Sequence, residues 1–171
     1  MELNEAYRVG GELCAELEPF CDKIQIAGSV RRERPVVNDL DIVLIPKDED
    51  MKHHIQQLCL AKHPVFGFDE KPKSGPAMTR FYSEKHEIWV DIYFATFETW
   101  PFILFIRTGS KEHNVYMCMT AKERGMWLCA DGSGFFKDRE KKAAFEIHTE
   151  KDIFSVLGLS YKEPKEREAS S

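Results

Sequence analysis

The stretch Gly28-Ser29-Val30-Arg31-Arg32-Glu33-Arg34-Pro35-Val36-Val37-Asn38-Asp39-Leu40-Asp41-Ile42-Val43-Leu44-Ile45 decides how this chain is read. Its second half, from Asp39 to Ile45, is apolar on both faces except at its beginning, which is the pattern of a central strand covered on both sides. Its first half closes a short preceding strand, Lys23-Ile24-Gln25-Ile26-Ala27, with Gly28-Ser29 and a polar connection from Arg31 to Asn38.

Leu3, Tyr7, Cys14 and Leu17 recur at helical spacing and predict a helix over 2–18 packed on that face and ended by Pro19, although Gly10 and Gly11 weaken it. Met51, Ile55, Leu58 and Cys59 mark a helix over 50–62. Residues 63–78, with Pro64, Gly67, Pro72, Gly75 and Pro76, read as a loop. Thr79 to Ser83 and Glu87 to Phe94 read as a hairpin turning at Glu84-Lys85-His86. Thr99 and Pro101 start a helix that Thr108-Gly109 breaks, and Ser110 caps another that ends at Arg124 before Gly125. Trp127-Leu128 and Gly134 to Phe136 suggest a small hairpin. Thr149 with Asp152 forms a capping box for a last helix through Leu157, and the tail from Glu166 to Ser171 is expected to be loose. The fold class is α+β: a mixed sheet with helices, then a smaller, mostly helical lobe, divided at Thr108-Gly109 into 1–107 and 108–171.

The 171 residues suffice for one or two small lobes, and 43% hydrophobic content supports a core. No apolar run is long enough to cross a membrane, and the start lacks a secretory signal. Five cysteines without a C-x-x-C pair argue against a disulfide scaffold or zinc ribbon, so the expectation is a soluble protein of an intracellular, reducing compartment. The net charge of -5 lies wholly in residues 1–110, with 13 Lys+Arg against 18 Asp+Glu; residues 111–171 balance at 11 each.

Asp39 and Asp41 share one face of their strand, roughly 6–7 Å apart at Cα, and Asp91 interrupts another apolar strand, Ile88 to Phe94. Two carboxylates about 7 Å apart repel by roughly 2 kcal/mol at an effective dielectric of about 20, which a cation between them would relieve. An all-oxygen set suits Mg²⁺ or Mn²⁺ rather than zinc. A lone D-x-D at a strand start can also simply stay solvated. Here Gly28 allows close backbone approach to a phosphate, the Ser29 hydroxyl can cradle it, and arginine adds bidentate charge. Together these outline two-metal phosphoryl transfer.

Gly28-Ser29-Val30-Arg31-Arg32 followed by Asn38-Asp39-Leu40-Asp41-Ile42-Val43 resembles the signature of the nucleotidyltransferase superfamily, most closely the family X DNA polymerases of the polymerase beta type. Val90-Asp91-Ile92, Arg107-Thr108-Gly109-Ser110 with Asn114, Glu150 to Phe154 and Tyr161 to Arg167 agree with that family in order and spacing. The resemblance runs from about Lys23 to Arg167. It implies a palm over 1–107 and a thumb over 108–171, without the lyase or fingers domains common in the family. It implies that Asp39, Asp41 and Asp91 hold two Mg²⁺ ions, with Mn²⁺ able to substitute, and act in catalysis. Gly28, Ser29 and Arg32 would hold the triphosphate, Thr108 and Gly109 would pass the sugar, and Asn114 would contact the incoming nucleotide. Lys111, Lys122, Arg124, Lys162, Lys165 and Arg167 are the candidate DNA contacts. Partners would be gapped or primer-template DNA and dNTPs, with no membrane and a monomeric chain.

Three positions depart from the family pattern. Ile106 and Arg107 stand where an aromatic pair usually precedes the Thr-Gly, Cys118 where many relatives carry an arginine near the templating base, and Trp89 where an arginine often precedes the third aspartate. With few basic groups, binding should be salt-sensitive and synthesis distributive. The six histidines lack metal-ligand spacing and read as surface residues; Trp100, Phe102 and Phe105 read as core. The first function is therefore a minimal, template-directed repair polymerase. A template-independent nucleotidyltransferase acting on nucleic-acid ends, a small molecule or a protein is the alternative, and a non-catalytic module is disfavoured by three intact acids. The missing aromatic pair predicts weak sugar discrimination. Incorporation of dATP over ATP opposite a template T should differ by less than about a thousandfold, some 4 kcal/mol, in single-turnover assays.

Overall fold

The chain is described by a computed structural model over residues 1–64 and 70–168. Its first unit is α1 (Leu3–Leu17), β1 (Cys21–Ile26), the single turn α2 (Gly28–Arg31), β2 (Asp39–Pro46) and α3 (Glu49–Leu60). Then come β3 (Lys73–Ser74), β4 (Met78–Ser83) and β5 (Ile88–Phe94). The sheet order is β1-β2-β5-β4-β3. Only β2 and β5 run parallel; the other pairs are antiparallel. Residues 65–69 of the expected loop lie outside the described residues; β3, a two-residue addition to β4, falls within that loop and was too short to show in the pattern.

Period-two geometry sorts β2 cleanly. Leu40, Ile42 and Leu44 face one core with Ala6, Val9, Leu13 and Leu17 of α1 and Ile55 and Cys59 of α3. Val43 and Ile45 face the other side, against Trp100 and Leu104. Asp39 and Asp41 belong to that second face. Of the expected α1 stripe, Leu17 is buried and Leu3 and Cys14 pack against the core, but Tyr7 is 42% exposed and the stripe is centred on Ala6, Val9, Gly10 and Leu13. Gly10 explains the offset. A Cβ there would come within 2.7 Å of Ile26 Cδ1, so the glycine lets the helix settle onto the sheet along its small residues.

The second unit is α4 (Trp100–Thr108), α5 (Lys111–Glu123), the hairpin β6 (Trp127–Leu128) and β7 (Phe135–Phe136), and α6 (Glu150–Val156). Ser110 accepts from the His113 amide at 3.3 Å and caps α5, and Thr149 and Asp152 form the capping box of α6. The helix α4 serves both units. Trp100 and Leu104 cover the sheet, whereas Phe102, Phe105 and Ile106 enter a core with Met117, Phe135 and Phe154. His113 is no surface residue: it is 5% exposed, with its ring between Phe105 and Phe154 at 5.6 and 5.8 Å. Burial, aided by the nearby Arg167 charge, pushes its imidazole down to about 4 and keeps it neutral. His63 and His86 are also partly buried.

The tail is ordered into the fold as far as it is described; residues 169–171 lie outside. Pro164–Glu166 form a 3-10 turn and Arg167 is wholly buried. Its Nη1 donates to Glu150 Oε1 at 2.7 Å and its Nε to the Lys162 carbonyl at 3.0 Å. Arg31 takes Glu150 from the other side, Nη2 to Oε2 at 2.6 Å and Nη1 to Oε1 at 3.0 Å, and reaches Thr108 Oγ1 at 2.7 Å. Arg167 is therefore not available to DNA. A guanidinium that cannot be deprotonated is buried here because a carboxylate meets it.

Burial disfavours the ionised Glu150, but the hydrogen bonds and charges of Arg31 and Arg167 outweigh it and hold the carboxyl below its usual range. Glu150→Gln should lose roughly 3–5 kcal/mol in denaturant titrations at neutral pH, because two arginines are left without their partner. A depressed folded-state pKa contributes stability that is complete above the unfolded value and disappears as pH falls through the folded one. The gap between wild type and variant should accordingly stay constant near neutrality and close only on the acid side of 4.5, the ordinary Glu value.

Candidate active site

Strand register assembles the acids. In the parallel β2–β5 pair, Asp41 lies opposite Asp91 and Asp39 opposite Trp89. Asp41 is pushed up to about 7 by burial and then by the charges of Asp39 and Asp91, against the pull of Arg107 and Arg32. Burial also raises Asp91, outweighing its own arginine. That arginine is Arg80, the antiparallel partner of Asp91 across β4–β5, whose Nη1 donates to Asp91 Oδ2 at 2.7 Å. The Tyr93 hydroxyl donates to the same oxygen at 3.4 Å, and the Arg80 guanidinium stacks on Trp89 at 4.8 Å. Trp89 thus supports the acid indirectly, through an arginine supplied by the neighbouring strand. The hairpin was the available signal: a turn pairing Ser83 with Ile88 necessarily sets Arg80 beside Asp91.

Asp91 Oδ1 is buried with no hydrogen-bond partner. Among the described residues no three His, Cys or acidic side chains close into a ready-made ion cage, since one Asp91 oxygen is turned toward Arg80 and Tyr93. The chemistry of the set still fits a divalent cation: every donor is oxygen, one buried oxygen is unclaimed, and Asp41 is raised by like charges that a cation would offset.

The phosphate segment meets these acids directly. Gly28 has φ of +56°, and a Cβ on it would stand 1.9 Å from Asp41 Oδ2, so the glycine makes room for the carboxylate itself. Ser29 Oγ is buried without a partner. Arg32 donates through Nε to Glu168 Oε1 at 2.7 Å and through Nη1 to the Thr108 carbonyl. A cleft of about 550 Å³ has Gly28, Ser29, Arg32, Asp39 and Asp41 on one wall. Gly109, Lys111 and Asn114 line the same cleft. Asp91 sits behind the wall, and Thr108 is buried with its hydroxyl committed to Arg31. Asn114 Nδ2 is held by the Ile106 carbonyl at 2.7 Å, leaving Oδ1 buried and unpartnered.

Of the remaining expected DNA contacts, Lys111, Lys122, Lys162 and Lys165 are exposed. Arg124 is also exposed, but its Nη1 is bound to the Leu157 carbonyl, where it satisfies the end of α6. Cys118 packs against the second core and also borders the cleft. Arg107, noted in sequence only as a departure, lines the cleft with its guanidinium 4.2 Å over the Tyr93 ring and its Nε unpartnered.

The family model for the DNA polymerase beta thumb matches residues 103–168. The DNA polymerase/3'-5' exonuclease PolX of Bacillus subtilis is 30% identical over 170 residues, 98% of this chain but 28% of that protein. The chain thus spans little more than a quarter of that relative. Repair DNA polymerase X of African swine fever virus is 26% identical over 164 residues, 95% of this chain and 89% of that one. The chain is thus similar to family X DNA polymerases along nearly its whole length. Its fold agrees: a crystal structure of Leishmania infantum polymerase beta, a ternary P/T complex, has a TM-score of 0.78 at 22% identity, over 98% of this chain and 76% of that one. The matched thumb segment begins inside α4, the helix shared by both cores.

The Gly28–Asp41 contact gives the most local test of this family X site. Gly28→Ala must displace Asp41 by about an ångström or more, and misplacement of that order can lower turnover roughly 100-fold. Nucleotide transfer by Gly28→Ala should fall by about that factor, while far-UV circular dichroism keeps the wild-type helix and strand content.

Proposed function

We propose that this chain is a DNA-directed DNA polymerase that adds dNTPs to a primer 3′-hydroxyl during short gap filling in repair, with 1–107 working as palm and 108–171 as thumb. The observation that carries this reading is the alignment of Asp39, Asp41 and Asp91 on one sheet face, with Gly28 packed against Asp41 at the mouth of the cleft. Two Mg²⁺ ions, or Mn²⁺ in their place, would be held by the three aspartates and would supply charge neutralisation at the reacting phosphate and a lowered pKa for the attacking hydroxyl. The residues do the rest. Ser29 and Arg32 bind phosphate oxygens, and Arg80 and Tyr93 fix one Asp91 oxygen so that the other faces its ligand. Gly109 lets the sugar pass close to the backbone, and Asn114, anchored on Ile106, orients the nucleotide. Five cysteines that are all unpaired support an intracellular, reducing compartment.

A second reading, transfer without a template, is favoured by one observation. Beyond Lys111 and Asn114 in its first turns, the α5 surface on the cleft offers only Val115, Cys118 and Met119, so it has little polar chemistry with which to inspect a base pair. Extension of a primer on a one-nucleotide gapped duplex, with each dNTP supplied singly and Mg²⁺ or Mn²⁺ present, separates the two. Template-directed addition should occur and vanish in Asp91→Ala. Equal extension of a single-stranded primer, whatever the template base, would replace the first reading with the second.

A further inference from the structure

The neighbouring arginines Arg31 and Arg32 both reach the C-terminal segment, and the two contacts differ in kind. Arg31 meets Glu150, a buried carboxylate shared with the fully buried Arg167. Arg32 meets Glu168, the next residue along, whose side chain is 32% exposed and whose second oxygen lies 3.6 Å from Arg34, itself 51% exposed. The first contact is locked inside the fold. The second is partly buried, with Glu168 its more open side, and it borders the cleft that Arg32 lines.

We propose that Glu168 is an internal competitor for Arg32 that sets the affinity of the cleft for polyphosphate. The inference rests on the reading that Arg32 receives the triphosphate. In the structure the Nε edge of that guanidinium is already filled by a carboxylate, and the Nη1 edge by the Thr108 carbonyl. An incoming polyphosphate brings several negative charges and more acceptor oxygens than a carboxylate, so it can take the Nε edge from Glu168. The pair is only partly buried, with 32% of the Glu168 side chain still open to water, so the carboxylate can leave without being stranded inside the fold. Burial of Arg167 keeps the adjacent Glu168 within reach of Arg32, so the competitor acts at a high effective concentration without leaving the molecule. The apparent affinity for phosphate then falls by the fraction of time Arg32 is occupied. Arg34 gives the displaced carboxylate a second cation to rest on.

The test is a double-mutant cycle read by calorimetry with inorganic tripolyphosphate at fixed low salt. Glu168→Gln should bind tripolyphosphate roughly three- to tenfold more tightly than wild type, the gain expected when a competing, partly buried ion pair is removed. In an Arg32→Gln background the same change should give no gain, because nothing remains to compete for. Unchanged or weaker binding by Glu168→Gln would overturn the proposal and make Glu168 a positioning group for Arg32. An equal gain in the Arg32→Gln background would overturn it too, by reducing the effect to net charge. Absence of binding in all four proteins would count the same way. The measurement needs no primer, template or turnover. If gap extension fails while the cycle behaves as stated, the competitor stands and only the polymerase reading falls.

Discussion

The Glu150 carboxylate, held between Arg31 and Arg167, is the constraint on which the arrangement of the two units depends. Arg31 leaves the short turn after β1, Glu150 opens α6, and Arg167 lies in the C-terminal segment just after the 3-10 turn. One buried acid therefore ties together the phosphate segment, the last helix and the tail. Arg31 also holds the Thr108 hydroxyl, and Arg32 the Thr108 carbonyl, so the junction of α4 and α5 is fixed by the same pair of arginines. The cleft lies between these elements. Its width is set by ion pairs outside the sheet as much as by the sheet.

Within the cleft the governing fact is carboxylate repulsion resolved by unequal partners. Asp91 has Arg80 and Tyr93 on one oxygen, whereas Asp41 has no direct hydrogen bond from a cation and feels Arg107 and Arg32 only through space. Asp41 is correspondingly the acid pushed to about 7. A site built this way binds protons when it lacks metal and is relieved of them by a divalent cation. Arg107, stacked on Tyr93, lines the same cleft as Asp39 and Asp41, so the chain has placed a charge where family X relatives usually place an aromatic ring.

The sequence was most legible where one element decides its own fate. The two-faced apolar run of β2, the β4–β5 hairpin, the Ser110 cap and the Thr149–Asp152 box depend on period and local chemistry, and each formed where expected. Misreadings came from long-range packing. Tyr7 was assigned inward because it falls at helical spacing with Leu3, Cys14 and Leu17, but Gly10 lets the helix settle along its small side. Arg167 was assigned to DNA because a basic residue near a polar end is ordinarily solvated; its burial is intelligible only with Glu150, 17 positions earlier. His113 looked like a surface residue until α5 was seen to turn its third position onto Phe105 and Phe154. The three acids, by contrast, were recognisable because ionised groups interrupting apolar strands need a reason.

The acidic net charge, which sits awkwardly with the proposed handling of DNA, is answered by the sheet. Leu40, Ile42 and Leu44 point toward α1, and Asp39 and Asp41, by the alternation of the strand, point the other way. The glutamates of α1 thus lie across the sheet from the face that carries Asp39 and Asp41, and several are already matched: Glu5 and Glu12 by Arg8, Glu12 also by Lys85, and Glu16 by Lys62. Their charge is local, exposed and screened within roughly 8–10 Å in physiological salt. On the cleft side, the acids that remain are those whose repulsion a metal ion relieves, and Lys111, Arg32 and Arg107 share that space. A formal charge summed over the chain averages two surfaces that never face the same partner. The electrostatics that a phosphate meets are those of one face of one sheet.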